Sequence, residues 1–173
     1  MAVLISITNH YIHRKESSIM KQRGFTIVEL LIVIVVIGIL AAIVIVAFNG
    51  VQQRANFATE KADMAAINKL INLYHADNGS YPVVPSWAGW DQASNFIPGI
   101  VPKYASSIPQ MPTSNSNSNS YLYRSNNDGS EYKLIRYSET DGLPAVQRTN
   151  NELMDPARNN RAWGYWSAGA SSY

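Results

Sequence analysis

A single carboxylate stands at the edge of the most apolar part of the chain. Glu29 directly precedes nineteen consecutive residues, Leu30 to Phe48, that carry no charge and no polar side chain. A run of that length matches the roughly 20 apolar residues that a helix needs to cross the hydrocarbon core of a bilayer. A carboxylate beside such a run is costly to bury and is by default a candidate functional residue. We therefore expect Glu29 to take part in a charge interaction where water is scarce.

The residues before Glu29 offer a site for cleavage of the backbone. Residues 21–23 form a basic stub, Gly24 follows, and the apolar helix is predicted to begin at Phe25. Basic residues ahead of an apolar run keep the N-terminal side in the cytoplasm and direct the remainder across the membrane. An ordinary secretory signal has its small-residue cleavage site after the apolar stretch. Gly24 lies before it, so cleavage there leaves the apolar helix on the mature protein.

The segment Lys-Gln-Arg-Gly-Phe-Thr-Ile-Val-Glu-Leu at 21–30 resembles the class III signal of type IV prepilins and related pseudopilins. The resemblance implies that a prepilin peptidase cuts between Gly24 and Phe25 and that the new Phe25 amine is methylated. It also implies that Glu29 and Thr26 serve assembly, with Glu29 of an incoming subunit attracting the Phe25 amine of the subunit already docked. The alternatives are an uncleaved signal anchor, and a Glu29 that merely favours the positive end of its own helix.

Residues 1–24 are expected to form the leader peptide. The five residues from Met20 to Gly24 would suffice, and a start at Met1 gives a longer leader; the sequence leaves both open. The leader carries four of the 14 basic and one of the 12 acidic side chains, which leaves ten and 11 and a net charge of −1. No basic stripe remains that would mark a nucleic-acid surface.

Two kinds of helix are predicted to follow the leader. Residues 25–51 form a transmembrane or filament-core helix, and residues 54–77 form an amphipathic helix with apolar residues at helical spacing. The apolar stripe consists of Phe57, Met64, Ile67, Ile71 and Tyr74, widened by Leu70 and Leu73, while Glu60, Lys61, Asp63, Lys69 and Asn72 fall largely elsewhere. The continuous helix would be roughly 80 Å long at about 1.5 Å per residue. Asn78-Gly79 supplies its stop.

Gly38 and Gly50 are candidates for local flexibility in this helix. Glycine costs about 1 kcal/mol relative to alanine in a helix interior, so each position favours bending. Close helix packing in the membrane is an equally good interpretation of Gly38.

Residues 52–173 are expected to form an exported globular head. Residues 82–112 hold six of the eight prolines, and 113–120 alternate serine and asparagine after a threonine, so 82–120 is predicted to be loop. The sheet is expected within 121–173, with strands at 121–124 and 131–137 around an Asp-Gly turn and a third at 162–168. The fold class is therefore α+β, a long N-terminal helix packed on a small antiparallel sheet, which by resemblance is the pilin fold.

Few residues of the mature chain suit catalysis or metal binding, and neither an enzymatic activity nor a cofactor is expected. The absence of cysteine excludes disulfides and thiolate chemistry. His75, the one histidine after the leader, lies at a predicted helix end, where solvation or a contact with the helix dipole is expected. Four acidic residues could contribute to a calcium site, although turn formation is the preferred interpretation because no EF-hand spacing occurs. They are Asp128, Glu139, Asp141 and Asp155.

Four tryptophans admit two interpretations: an adhesive surface, or packing in the core or at a subunit interface, which is favoured. They are Trp87, Trp90, Trp163 and Trp166.

The resemblance implies a type IV pilin, a structural subunit that polymerises with itself into a cell-surface filament for adhesion, motility or DNA uptake. The alternatives are a pseudopilin of a type II secretion or competence machine and, in another class, a monomeric membrane-anchored binding protein. The implied partners are the prepilin peptidase, the pilus assembly platform and its ATPase, and minor pilins. The precursor would cross the cytoplasmic membrane once, N-terminus inside, before assembly outside the cell.

Overall fold

The computed structural model describes residues 24–112, 119–139, 142–149 and 151–173. The elements are α1 (Ile27–Asn78), β1 (Asn119–Ser125), β2 (Tyr132–Ser138), α2 (Ala145–Arg148) and β3 (Ala162–Trp166), with 3-10 turns at Asn159–Arg161 and Ala168–Ser172. A long N-terminal helix thus precedes a small antiparallel sheet, which confirms the predicted α+β class. The described residues fall into two units that divide between Ala42 and Ile43. Most of the predicted leader, 1–23, lies outside the described residues.

Helix α1 runs without a break for 52 residues. It contains no proline, and Gly79 follows its last residue in the left-handed region, with φ at 75° and its N–H donated to the His75 carbonyl at 2.8 Å. These bounds agree with the predicted helix to within two residues. The helix passes through both Gly38 and Gly50, so local flexibility there stays a prediction.

The sheet has the order β1-β2-β3 with both pairs antiparallel. The predicted hairpin is confirmed, and its turn needs glycine because Gly129 has φ at 69° and a Cβ there would lie 2.5 Å from the Tyr81 carbonyl oxygen. Strand β1 begins two residues inside the predicted loop 82–120, since Asn119 and Ser120 pair with β2. That part of the loop prediction was wrong, and residues 113–118 lie outside the described parts of the chain.

One face of the sheet forms the main core with the second half of α1. Met64, Ile67 and Ile71 are fully buried, in one cluster with side chains of all three strands. Burying each such side chain contributes about 1.5–3 kcal/mol. The strand residues of that cluster are Tyr121, Tyr123, Tyr132, Leu134 and Trp163. The amphipathic half of α1 is therefore held to the sheet by apolar burial, as the stripe predicted.

Two side chains of α1 depart from the predicted stripe. Leu73 is 44% exposed, because it lies two residues, about 200°, around the helix from Ile71. Glu60 was assigned to the polar side, yet it is 1% exposed. Its Oε2 accepts hydrogen bonds from Arg136 Nε at 3.1 Å and from Gln147 Nε2 at 2.8 Å, which allows the charge to be buried.

The opposite face of the sheet carries a smaller cluster of Leu122, Ile135 and Ala162. Trp87 and Trp90 cover it from the loop before β1. Trp163, by contrast, lies in the main core, where its Nε1–H donates to Gln147 Oε1 at 3.0 Å and its ring meets Phe57 edge-on at 5.7 Å. These three tryptophans pack against the sheet.

Candidate functional site

The predicted assembly residues meet in the first turn of α1. Thr26 donates both its N–H and its Oγ1–H to Glu29 Oε2, each at 2.8 Å. In return the Glu29 N–H donates to Thr26 Oγ1 at 3.2 Å. This reciprocal arrangement is a capping box, with threonine at the N-cap and glutamate at the third helical position. The Thr-x-x-Glu pattern of residues 26–29 is the sequence signal of this capping box.

The capping box gives Glu29 a partner within its own subunit. Both hydrogen bonds go to one carboxylate oxygen, Oε2, and their donor is a neutral residue. The negative charge also lies at the positive end of the helix dipole, which is favourable. In this state the carboxylate is oriented toward the N-terminal end of α1, the end at which the predicted cleavage would create a new amine.

The predicted cleavage site is open in the described chain. Gly24 and Phe25 are both exposed, and Phe25 to 84%. A Cβ added at Gly24 would meet nothing within 4 Å. The backbone between these two residues is therefore free of steric cover from the described part of the protein. Cleavage and methylation of Phe25 remain predictions.

The apolar surface next to this site is uncovered. Every side chain from Phe25 to Ala55 is exposed, and the large hydrophobic residues of 25–51 are between 47% and 84% exposed. By length and composition α1 could cross a membrane. A contiguous apolar surface of this extent requires a cover of lipid or protein. The site therefore combines one charged group with a helix whose apolar side chains are exposed and would be unfavourable in water.

Three of the four acidic residues considered for calcium lie in the described part of the chain, and they form no metal site there. Asp155 is buried against Lys133 and Arg158. Asp128 accepts the Ser130 N–H at 3.0 Å in the hairpin turn, and this hydrogen bond lowers the pKa of the Asp128 carboxyl. Among the described residues, no group of three or more His, Cys, Asp or Glu could hold a metal ion. Asp141 lies outside them.

His75 takes part in aromatic packing at the end of α1. Its ring stacks on Tyr81 with centroids 4.2 Å apart and an interplanar angle of 28°. No local pattern in the sequence indicates this contact, because Tyr81 follows the end of α1 and approaches His75 through the turn after Gly79.

The N-terminal segment and the fold define the class of the protein. Residues 19–45 match the family model described as "Prokaryotic N-terminal methylation motif". This match falls on the segment whose resemblance to prepilins was inferred from the sequence and confirms that resemblance. The motif, the single long helix and the small antiparallel sheet together make this a type IV pilin-like protein.

Comparison with curated proteins shows which type IV pilin-like proteins the chain is similar to. The chain is 39% identical over 62 residues to type II secretion system core protein G of Escherichia coli strain K12, covering 36% of this chain and 43% of that protein. It is 31% identical over 103 residues to the protein of the same name from Aeromonas hydrophila, covering 55% of this chain and 70% of that protein. The chain is 29% identical over 142 residues to the protein of the same name from Klebsiella pneumoniae, covering 77% of this chain and 93% of that protein.

The chain belongs to the family of type II secretion system core protein G. Its match spans less than half the length of the Escherichia coli relative but nearly all of the Klebsiella pneumoniae relative. No solved structure matches the chain.

Proposed function

We propose that the chain is a pseudopilin of a type II secretion system, a structural subunit without catalytic activity that assembles with copies of itself. The observation that carries this proposal is the similarity to core protein G of three bacteria, which extends beyond the N-terminal motif in the Klebsiella pneumoniae relative. The main interpretation of the sequence was a pilus subunit. These relatives favour the alternative, a pseudopilin of a secretion system. The exposed apolar surface of 25–51 disfavours a monomer that works alone.

Processing is the first step of the proposed function. The precursor is anchored through residues 25–51, and the prepilin peptidase cuts the exposed bond between Gly24 and Phe25. A side chain on residue 24 would stand between the peptidase and the backbone. Gly24→Val is expected to leave an unprocessed precursor, whereas Gly50→Val, a matched change after the cut site, is processed normally. Mass spectrometry of the purified chain distinguishes these outcomes, and a mature chain that begins at any residue other than Phe25 overturns the step.

Assembly is the second step. In the free subunit Glu29 accepts hydrogen bonds from neutral Thr26, and the charge itself has no cationic partner among the described residues. Cleavage creates a positive amine on Phe25. A charge-assisted hydrogen bond is roughly twice as strong as a neutral one, and low polarity near the lipid strengthens the attraction further. Exchange of Thr26 for the Phe25 amine of a docked neighbour is therefore favourable.

Packing of the apolar helices then supplies most of the cohesion of the filament. Each helix leaves the lipid and places its exposed side chains against those of neighbouring copies, which keeps that surface out of water. The assembly platform with its ATPase and the minor pseudopilins would drive and initiate this step. In this scheme Glu29 sets the register, and residues 30–51 hold the subunits together.

Deletion of the gene in its own host tests the proposal. The expected result is loss of export of the host's secreted proteins, with surface pili and surface motility unchanged. Complementation with the intact gene should restore export, and complementation with the Glu29→Val variant should not. Normal export together with the loss of surface filaments would overturn the proposal in favour of the pilus subunit.

A further inference from the structure

Lys133 is a fully buried cation in the head. Its side chain has no exposed surface. Nζ donates to Asp155 Oδ1 at 2.8 Å, to the Ser171 carbonyl oxygen at 2.8 Å and to the Tyr173 main-chain oxygen at 3.1 Å. An ammonium group has three N–H donors, so each donor has one acceptor. The centre of the Trp166 ring lies 5.2 Å from Nζ. Oxygen atoms from three places in the chain thus surround a single charge.

Asp155 is shared between this lysine and a second cation. Its Oδ1 also accepts the Ala157 N–H at 2.9 Å, and its Oδ2 accepts a hydrogen bond from Arg158 at 2.9 Å. The side chain of Asp155 is fully buried. Arg158 in turn donates to the Tyr173 main-chain oxygen and places its guanidinium 4.6 Å from the centre of the Trp87 ring. The hydrogen bonds therefore run from β2 to the end of the described chain, and the cation–π contact of Arg158 extends the connection to the loop before β1.

Strand β3 pairs the middle of 151–173 with β2, and Lys133 adds a tie to the turns on either side of that strand. Apart from β3, this segment consists of turns and two 3-10 turns, and its fully buried apolar side chains are Ala162, Trp163 and Ala170. The protein has no cysteine that could close the segment with a disulfide. An ammonium that loses its partners inside a protein is strongly destabilising. Lys133 is therefore compatible with the folded head only while Asp155, Ser171 and Tyr173 are in place.

We propose that Lys133 is an internal cation that closes residues 151–173 onto the sheet, and that Asp155 and Arg158 extend this closure to the loop that carries Trp87. The cluster does for this head what a disulfide or a bound metal ion does for other small exported domains. The proposal concerns the head alone and is independent of whether the subunit assembles in a secretion system or in a pilus.

The test uses the full mature chain in detergent micelles, with substitutions on both sides of the pair. The variants are Lys133→Met, Asp155→Asn and the double variant. Lys103→Met is the matched control, since Lys103 also pairs with an aspartate, Asp77 at 3.3 Å, but both side chains are more than half exposed. Hydrogen exchange measured by mass spectrometry reports on peptides from 151–173 and from 82–96, and thermal unfolding reports the Tm.

Lys133→Met is expected to lower the Tm by about 10 °C or more, because it leaves a carboxylate buried without one of its two cations. The rate of hydrogen exchange in 151–173 should rise at least about tenfold, because the segment has lost the ammonium that ties it to β2. Asp155→Asn should also raise exchange in 82–96, since Arg158 then loses its charged partner. The double variant should be more stable than Lys133→Met, because the buried charge has gone. Lys103→Met should leave both measurements unchanged.

Two results would overturn the proposal. One is exchange in 151–173 of the Lys133→Met protein within about twofold of the wild type, which would mean that the lysine does not close the segment. The other is a double variant no more stable than Lys133→Met, including the case in which both fail to fold. A Lys133→Met protein that fails to fold while the double variant folds supports the proposal, because only the unpaired charge differs between them.

Discussion

The two halves of α1 have the same secondary structure and opposite surroundings. Residues 27–51 are apolar on all sides, and every side chain there is exposed. Residues 52–78 are apolar on one side, and Met64, Ile67 and Ile71 of that side are fully buried. The sheet of the same chain covers the apolar side of the second half. The first half has no such partner in the described residues, so lipid or other copies of the subunit must cover it.

The acidic residues of the two halves differ in the same way. Glu29 at the start of α1 is exposed, and among the described residues its carboxylate is bonded to its neighbour Thr26 alone, so it is free to change partner. Glu60 in the second half is buried and fixed by Arg136 and Gln147, residues far along the chain. A charge near an apolar surface can serve assembly where its partner is local and replaceable, as at Glu29. Where its partners are distant and buried, it serves the fold.

The largest expected effect is the loss of assembly in Glu29→Val. The variant should be inserted in the membrane and remain stable there, yet form no filaments, because no carboxylate is left to attract the neighbour's amine. Electron microscopy of sheared material and immunoblotting of membranes measure the two properties. Glu152→Val, an exposed acid of the head, serves as the control.

Thr26→Ala sharpens this prediction. It removes the two hydrogen bonds that involve Thr26 Oγ1 but keeps the Thr26 N–H and the carboxylate, so filaments should form at a reduced yield. If Thr26→Ala and Glu29→Val had identical effects, capping of the helix would account for the role of Glu29, and the proposed pairing with Phe25 would be wrong.

Removal of the first half of α1 tests whether the second half is complete within the head. The fragment 52–173 should be soluble, folded and monomeric, because its apolar stripe is still covered by the sheet. Analytical ultracentrifugation and circular dichroism measure this. The fragment 25–173 in the same buffer without detergent is the control and should aggregate. Disorder of the shorter fragment would contradict the helix–sheet core described above.

A smaller effect is expected from Glu60→Ala. The substitution leaves Arg136 buried without its partner, which typically costs about 3–5 kcal/mol of unfolding free energy. Asp77→Ala removes the carboxylate of the exposed pair with Lys103 and should leave stability nearly unchanged. Urea unfolding of both variants in micelles compares them. Equal effects would mean that Glu60 is more accessible to water than its position indicates.

The smallest effect concerns alkaline pH and is confined to the head. Burial raises the pKa of Tyr132 to about 12, and burial also raises the pKa of Tyr121 and of Tyr123. A phenol whose pKa is higher in the folded state stabilises the fold below its unfolded value near 10, and this contribution is lost as pH rises toward about 12. The head should therefore lose stability above about pH 10. Phenolate absorbance and circular dichroism, recorded together, test this.

The first half of α1 provides the internal control for that titration. No ionisable side chain occurs between Glu29 and Arg54, so its helicity should not change over the same pH range. Ionisation of all tyrosines near pH 10 with an unchanged spectrum would contradict the burial of the three phenols.

Local patterns in the sequence were sufficient for much of this description. Three local signals predicted α1 to within two residues at each end. They are the apolar run from Leu30 to Phe48, the basic residues before Gly24 and the spacing of apolar residues from Phe57 to Tyr74. The Asp-Gly turn predicted the β1–β2 hairpin. Each of these signals depends on neighbouring residues or on one helical turn, so its physical cause is contained in a short stretch of chain.

The tertiary structure alone decided which charged residues are buried. Glu60 looks like a residue of the polar face, and Lys133 alternates within a strand like any polar residue. Their partners Arg136 and Asp155 lie 76 and 22 residues away. Asn119 and Ser120 likewise join β1 only because β2 provides their hydrogen-bonding partners. Burial of a charge, or recruitment of a polar residue to a strand, depends on groups that only folding brings together, so no local pattern could reveal it.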